Sequence, residues 1–319
     1  QHIFDFDNPE PTEQPITLDL KLGNICNSKC RICTTFASSQ WAKEEIKIDP
    51  NKKASILAFN HKGMWPKHNK DFWEDLETML HGIVKFEFFG GEPLLIEKHF
   101  EILEKCIEQG YAKNIHLSYN TNGSIFPENK VHLWKHFKKV QIFFSIDGVG
   151  KQFEYIRHPQ KFDEVVDNFH KFNQHDFLHL NIFYTVGLFN VMYMDEILTW
   201  QMDNNIDCDI HFNMVYEPKH ISPKALPKKV KQAITDKLGG HNDPRIQTTL
   251  NYMNQEDYIG YMAEFTRQTM FSDKYRNESI AETFPELWEH LKPFFQQSDV
   301  MNFMDDMQQI NAGNNHDRL

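Results

Sequence analysis

Cysteine is scarce in this chain, five in 319 residues, and three of the five lie between positions 26 and 33. So sparse and clustered a set does not make the paired framework of a small secreted domain, and a reducing compartment, the cytoplasm, is the expected location. Long apolar runs are missing too. No stretch approaches the roughly 20 residues that a membrane-crossing helix needs, so no membrane partner is expected. Residues 1–15 are acidic and proline-bearing, without the apolar core of a secretion signal. The chain starts at Gln1 and not at methionine, which fits a fragment or a processed product with room for a domain upstream. Positive charge is in deficit, 34 Lys and Arg against 45 Asp and Glu, for a formal net charge of -11. Phosphate backbones select basic surfaces, so nucleic acid is not an expected partner. The lysines between Lys224 and Lys237 read as the solvated face of a short helix. No long internal repeat occurs. What is plentiful is core material, 40% hydrophobic residues including 27 phenylalanines, in a length that suits two average domains or one barrel with additions.

The clustered thiols belong to Cys26-Asn27-Ser28-Lys29-Cys30-Arg31-Ile32-Cys33. Thiolates at gaps of three and two residues hold three irons of a four-iron, four-sulfur cube and leave the fourth iron open. A cluster used only for electron transfer takes four protein thiolates, so a set one short points to chemistry at the vacant iron. A structural zinc site is the other reading, its tetrahedron closed by one of the 17 histidines. Cys106 and Cys208 stand apart and supply no second C-x-x-C half; both read as buried thiols. A second motif, Gly90-Gly91-Glu92-Pro93, ends the apolar run Ile83 to Phe89. Alone it would be a tight turn with a helix-starting proline.

In that order the two motifs resemble the signature of the radical S-adenosylmethionine (SAM) superfamily. Ser145-Ile146-Asp147-Gly148 is similar to its fourth-strand motif and Tyr119-Asn120-Thr121-Asn122-Gly123 to its third-strand turn. The resemblance covers Ile16 to Pro218, about two-thirds of the chain. One departure is Ile32, where the family usually has an aromatic residue. The resemblance implies one [4Fe-4S] cluster, SAM as second cofactor, and an electron donor such as a flavodoxin or ferredoxin. Through Ser145-Ile146-Asp147-Gly148 and a downstream arginine it points to the peptide- and protein-modifying, SPASM/twitch-related branch. Without cysteines after Cys208, auxiliary clusters are not expected. A peptide or protein side chain is thus the expected substrate. The alternatives are a small molecule such as a sugar or nucleotide, or a zinc-stabilised binding domain without catalysis.

Six runs rich in β-branched and aromatic residues alternate with helical patterns, as parallel βα units do. They are Ile16 to Leu22, Ile83 to Phe89, Asn114 to Asn120, Val140 to Ile146, His179 to Val186 and Asp207 to Met214. Neighbouring strand residues face opposite ways. One row is mostly apolar, from Leu18 and Leu20 through Val84, Phe86 and Phe88 to Cys208, Ile210 and Phe212, and should pack under helices. The other is largely polar. A closed eight-strand barrel fills its interior with bulky branched side chains. A polar inner row instead predicts an α/β fold with a partial, open six-strand parallel (βα)6 barrel, TIM-barrel-like, and a C-terminal helical extension. An antiparallel sheet with one solvated face would show the same alternation, but intervening helices, as at Phe72 to Met79 and Phe100 to Glu108, count against it. The expected units are an N-terminal extension (1–15), the barrel (16–218), a helical cap (219–310) and a disordered tail (311–319). Thr34 to Glu45 looks helical within a long connection at the cavity mouth, and Met301, Met304 and Met307 form a packing stripe.

The resemblance assigns Cys26, Cys30 and Cys33 to the cluster. It places Gly90 and Gly91 at the methionine ammonium of SAM with the charge of Glu92 nearby, and Ser145 and Arg157 at its carboxylate. Asn120, Asn122 and Asp147 fall to the ribose hydroxyls, and Thr185 and Asn190 to the adenosine. Glu87, His116, Asp209 and His211, on the polar row, are candidates for acid–base work on the substrate.

Overall fold

The computed structural model of the chain describes residues 15–296. The expected N-terminal extension, apart from Pro15, lies outside the described residues, as do Met301, Met304, Met307 and the expected tail 311–319. Strands β1 (Thr17–Lys21), β2 (Lys85–Phe89), β3 (His116–Thr121), β4 (Lys139–Ser145), β5 (Leu178–Val186) and β6 (Asp209–Met214) form one parallel sheet in chain order. β1 and β6 are its edges, so the sheet is an open (βα)6 arrangement. Four helices precede β2: α1 (Trp41–Ile48), α2 (Lys53–Lys62), α3 (Trp65–His68) and α4 (Lys70–Met79). α5 (Glu97–Glu108) leads to β3, α6 (Val131–Trp134) to β4, α7 (Lys151–Ile156) and α8 (Phe162–Asn173) to β5, and α9 (Met194–Asp203) to β6. After the sheet come α10 (Lys228–Leu238), α11 (Pro244–Gln255), α12 (Met262–Arg276), α13 (Ile280–Thr283) and α14 (Pro285–Phe295).

Period-two alternation fixes which way each strand faces. Phe86, Phe88, Leu117, Tyr119, Val140, Ile142, Phe144, Ile182, Tyr184 and Ile210 are buried under the helices. Those helices return apolar side chains at intervals of three and four. On α8, Phe162, Val165, Phe169 and Phe172 are all buried, and Phe144 meets both Phe169 and Phe172 edge-on. Each fully buried phenylalanine contributes about 2–3 kcal/mol of transfer free energy. Trp134 donates its Nε1–H to Tyr119 Oη at 3.2 Å, so the one polar atom of that buried indole is satisfied.

Several expectations need correcting. Val84 is exposed, because it lies just before β2 and no helix covers it. Cys208 is half-buried, one position ahead of β6, whereas Cys106 on α5 is fully buried. Thr34 to Gln40 is not helical. Ser38 Oγ and Ser39 N donate to the carbonyls of Ser28 and Asn24, so this stretch is spent on the cysteine loop and the helix begins at Trp41. The inner row is not uniformly polar either. Phe89, Phe143 and Phe183 interrupt it.

The helices after β6 pack beside the sheet as well as at its end. On α11, Arg245 donates from Nη1 to the Ile210 carbonyl of β6 at 2.7 Å, and Tyr252 Oη to the Val215 carbonyl at 3.2 Å. An edge strand otherwise presents unpaired backbone groups; here α11 takes up part of that edge.

Candidate active site

The cysteine loop leaves the C-terminal end of β1 and is held there by the glycine motif. Leu22 N donates to Phe89 O at 2.8 Å, Gly91 N to Gly23 O at 2.9 Å and Glu92 N to Ile25 O at 2.7 Å. A Cβ on Gly91 would fall 2.1 Å from the Ile25 carbonyl oxygen, so only glycine allows this approach. In a trans peptide the N–H and C=O point in opposite directions. With the Gly91 and Glu92 N–H groups turned onto the loop, the Gly90 and Gly91 carbonyls project away from it, as two adjacent acceptors.

Cys26 and Cys30 are buried and Cys33 half-buried, all as free thiols. Burial, then the neighbouring Cys30, pushes Cys26 up to about 11. Cys30 and Cys33 share a hydrogen bond that favours thiolate at Cys33, with Arg157 pulling the same way. Three donors face these sulfurs: Arg157 Nη1 lies 3.9 Å from Cys30 Sγ, and Asn122 Nδ2 and Ser28 N lie 3.8 Å and 3.4 Å from Cys26 Sγ. A buried guanidinium and an amide against sulfur are the surroundings that an anionic thiolate cluster needs, so these residues fit a metal–sulfur group. Among the described residues no three His, Cys, Asp or Glu converge as ligands round one ion do. A cube sets its three thiolates on three separate irons and does not require that convergence.

Glu92 is fully buried, and both its oxygens are taken. Oε1 accepts from Leu94 N at 3.2 Å and Thr121 Oγ1 at 2.8 Å, and Oε2 from Asn122 N at 2.7 Å. It ties the glycine motif to the end of β3. Burial lifts its carboxyl to about 7 against the pull of those donors. Asn122 is committed as well, Nδ2 donating to Asn27 Oδ1 at 2.8 Å and Ser28 Oγ at 3.2 Å. Asp147, also buried, receives Arg157 Nε at 2.7 Å and Nη2 at 2.6 Å on Oδ2, and Thr185 N at 2.6 Å on Oδ1. Burial works against the charge on Arg157, but Asp147, Cys30 and Cys33 outweigh it and hold the guanidinium protonated. Arg157 therefore spends two nitrogens on Asp147 and turns the third toward the trio. Asn190 bridges the ends of β4 and β5: Nδ2 donates to Asp147 O at 2.8 Å and Thr185 O at 3.0 Å, and Oδ1 accepts from Gly187 N at 2.8 Å. Ser145, half-buried, and Asn120, exposed, stand at or near the ends of β4 and β3.

The four acid–base candidates stand lower on the sheet. His116 and Asp209 open their strands, at the end away from the trio, and Glu87 and His211 are in mid-strand. Glu87 is paired with Lys85, and burial with Lys138, Lys139 and Lys85 lowers the His116 imidazole. In register with Asp209 and His211, Phe143 and Phe183 stack at 4.4 Å with His211 against both, forming an aromatic shelf on the open face.

Sequence reasoning missed the charged residues that bracket Cys30. Lys29 pairs with buried Glu44 at 2.9 Å, and Arg31, also buried, with Asp273 at 2.6 Å and Glu278 at 2.7 Å. Their only local signal is two cations inside the cysteine loop; the partners lie too far along the chain to be paired by pattern. A cleft of about 190 Å³ opens beside Cys33, lined also by Thr34, Trp41, Pro218, His220 and Gln268. Its walls come from the cysteine loop, α1, the segment after β6 and α12.

The model of the Radical SAM superfamily matches residues 20–200. No curated protein matches the chain. Among solved structures the fold is similar to polyhistidine-tagged anSMEcpe with bound AdoMet, at 16% identity and TM-score 0.48, over 88% of this chain and 80% of that one. It is similar to native anSMEcpe with bound AdoMet at 15% identity and TM-score 0.44, over 82% of this chain and 67% of that one. A third is Streptococcus suis SuiB bound to S-adenosylmethionine, at 15% identity and TM-score 0.40, over 71% of this chain but only 45% of SuiB. A family match over more than half of the length, on a chain whose cysteine, glycine and fourth-strand motifs meet at one end of an open parallel sheet, makes this protein a member of the radical SAM superfamily, an enzyme whose cofactors are a [4Fe-4S] cluster and S-adenosylmethionine.

Proposed function

We propose that the enzyme abstracts a hydrogen atom from a side chain of a peptide or protein. When bound, the cluster and SAM supply reductive cleavage of a carbon–sulfur bond and a deoxyadenosyl radical; the chain supplies binding, orientation and shelter. Cys26, Cys30 and Cys33 hold the cluster. The Gly90 and Gly91 carbonyls accept from the methionine ammonium, and Arg157 Nη1 with the Ser145 hydroxyl donates to its carboxylate, a charge-assisted contact. Asn120 remains for the ribose. Glu92, Asn122, Asp147 and Asn190 act behind these groups, with polar atoms already engaged by the protein. Thr185 joins them through its backbone N–H. An electron donor such as a flavodoxin or ferredoxin would be the partner that supplies the electron.

The observation that supports a peptide is the open face of β5 and β6. Asp209, His211 and Asn213 are exposed there, beside the half-buried pair Phe143 and Phe183. A shelf with an apolar centre and a polar border, on a face that the barrel leaves unclosed, accepts one side chain while the rest of a polymer runs out to solvent. The test uses reconstituted, reduced enzyme with SAM and two deuterated mixtures, a protein digest and a peptide-free pool of sugars and nucleotides. Deuterium in deoxyadenosine from the digest is expected. Transfer from the small-molecule pool alone would replace this reading.

A further inference from the structure

Residues 29, 30 and 31 are each tied to the end of α12, some 240 positions later. Arg31, stacked 3.7 Å over the Tyr155 ring, donates from Nη2 to Asp273 Oδ1 at 2.6 Å and Glu278 Oε2 at 2.7 Å. Tyr155 Oη donates to the same Asp273 oxygen at 2.7 Å, and Glu278 also meets His158 Nδ1 at 2.5 Å. Lys29 binds Glu44, whose Oε1 accepts from Ser272 Oγ at 2.8 Å and Arg276 Nε at 3.0 Å. The Cys30 carbonyl accepts from Trp41 Nε1 at 2.9 Å, and the Arg276 guanidinium lies 4.8 Å over that ring. Arg276 Nη1 and Nη2 are buried without a hydrogen-bond partner, so this helix end holds its position at a cost in unsatisfied donors.

We propose that α12 is a positioning element of the cluster site: through Lys29, Trp41 and Arg31 it fixes the loop around Cys30 before the metal arrives. A loop with three ligands in eight residues has many arrangements in isolation, and ordering it in advance removes that entropy from cluster binding. Buried charge pairs suit this role because they tolerate few geometries. The fragment ending at Pro218 would keep every cysteine, with Glu44, Trp41 and Tyr155, and lose Ser272, Asp273, Arg276 and Glu278.

The inference rests on the trio holding the cluster, and its test separates the two. Asp273→Asn and Glu278→Gln keep an acceptor for Arg31 but remove the charge; Glu278 is the milder site, because Asp273 also accepts from Tyr155 Oη and Ile280 N. In the metal-free chain, iodoacetamide alkylation of Cys30, resolved by mass spectrometry, should run roughly tenfold faster in either variant, the factor that one weakened charged hydrogen bond represents. Lys237→Met, which removes the surface pair with Glu286, should leave the rate unchanged. In reconstituted protein of equal iron content, the electron paramagnetic resonance signal of the reduced cluster should shift with Asp273→Asn, and Arg31→Lys should give an intermediate signal. Wild-type protein that takes up no cluster would refute the ligand assignment. Wild-type protein that takes it up normally, with Asp273→Asn and Glu278→Gln both matching it in alkylation and spectrum, would refute the role of α12 alone.

Discussion

His99 sits on α5 among Phe88, Phe100 and Tyr119, fully buried, with Nδ1 2.5 Å from Ile96 O and Nε2 without a partner. Burial, the largest effect, depresses its imidazole to about 3, against 6.5 as the ordinary value. The folded chain keeps it neutral while the unfolded chain takes up a proton as pH falls through 6.5. Its contribution to stability is therefore intact above that pH and declines on acidification toward 3. The slope approaches about 1.4 kcal/mol per pH unit, so about 2 kcal/mol separates pH 6.5 from pH 5. Urea unfolding of the metal-free chain at these two pH values should show that loss, and His99→Phe should lack it. An equal loss in the variant would place the titration elsewhere. Nothing in the sequence marks His99 among 17 histidines. The three clustered cysteines, by contrast, stand out in the sequence, because their spacing is what a three-thiolate cube would require. Glu92 is marked in the sequence by its motif, which does not tell its partners. Its motif predicts a charge near the cofactor, and the structure shows a carboxyl bonded inward to Thr121 and Asn122.

Between strand and helix, the connection after β4 carries the buried pair Asp147 and Arg157 to the trio. Breaking one partner leaves the other charge uncompensated in the interior, which costs about 3–5 kcal/mol. Asp147→Asn should lower the unfolding free energy of the metal-free chain by that order, measured with denaturant. Asp147→Leu combined with Arg157→Met should lose less than the sum of the two single changes, since neither charge is stranded. Strict additivity would mean that the pair is not coupled. At this scale the strands were readable to within two residues because alternation records which face is covered. The stretch Thr34 to Gln40 was not. Its composition suits a helix, and its backbone and hydroxyls are taken by a loop whose position no local pattern encodes. The link from Arg31 to α12 was unreadable for the same reason.

For the molecule as a whole, the open sheet decides what can reach the site. α11 covers part of the β6 edge, while the inner face of β5 and β6 stays open around the Phe143 and Phe183 shelf. No described helix is long and apolar enough to cross a membrane. The predicted architecture, an open parallel sheet with helices after it, was carried by a polar inner row that a packed barrel does not have. The phenylalanines in that row were not foreseen, because period-two patterning tells which face a residue takes and not what that face is for.

The most direct measurement is SAM cleavage by anaerobically reconstituted protein reduced with dithionite. Iron and sulfide at cube stoichiometry are expected, with methionine and deoxyadenosine formed in equal amounts, and both products lost in Cys26→Ala, Cys30→Ala or Cys33→Ala. A fully loaded, reduced chain that leaves SAM intact would contradict the assignment of this site.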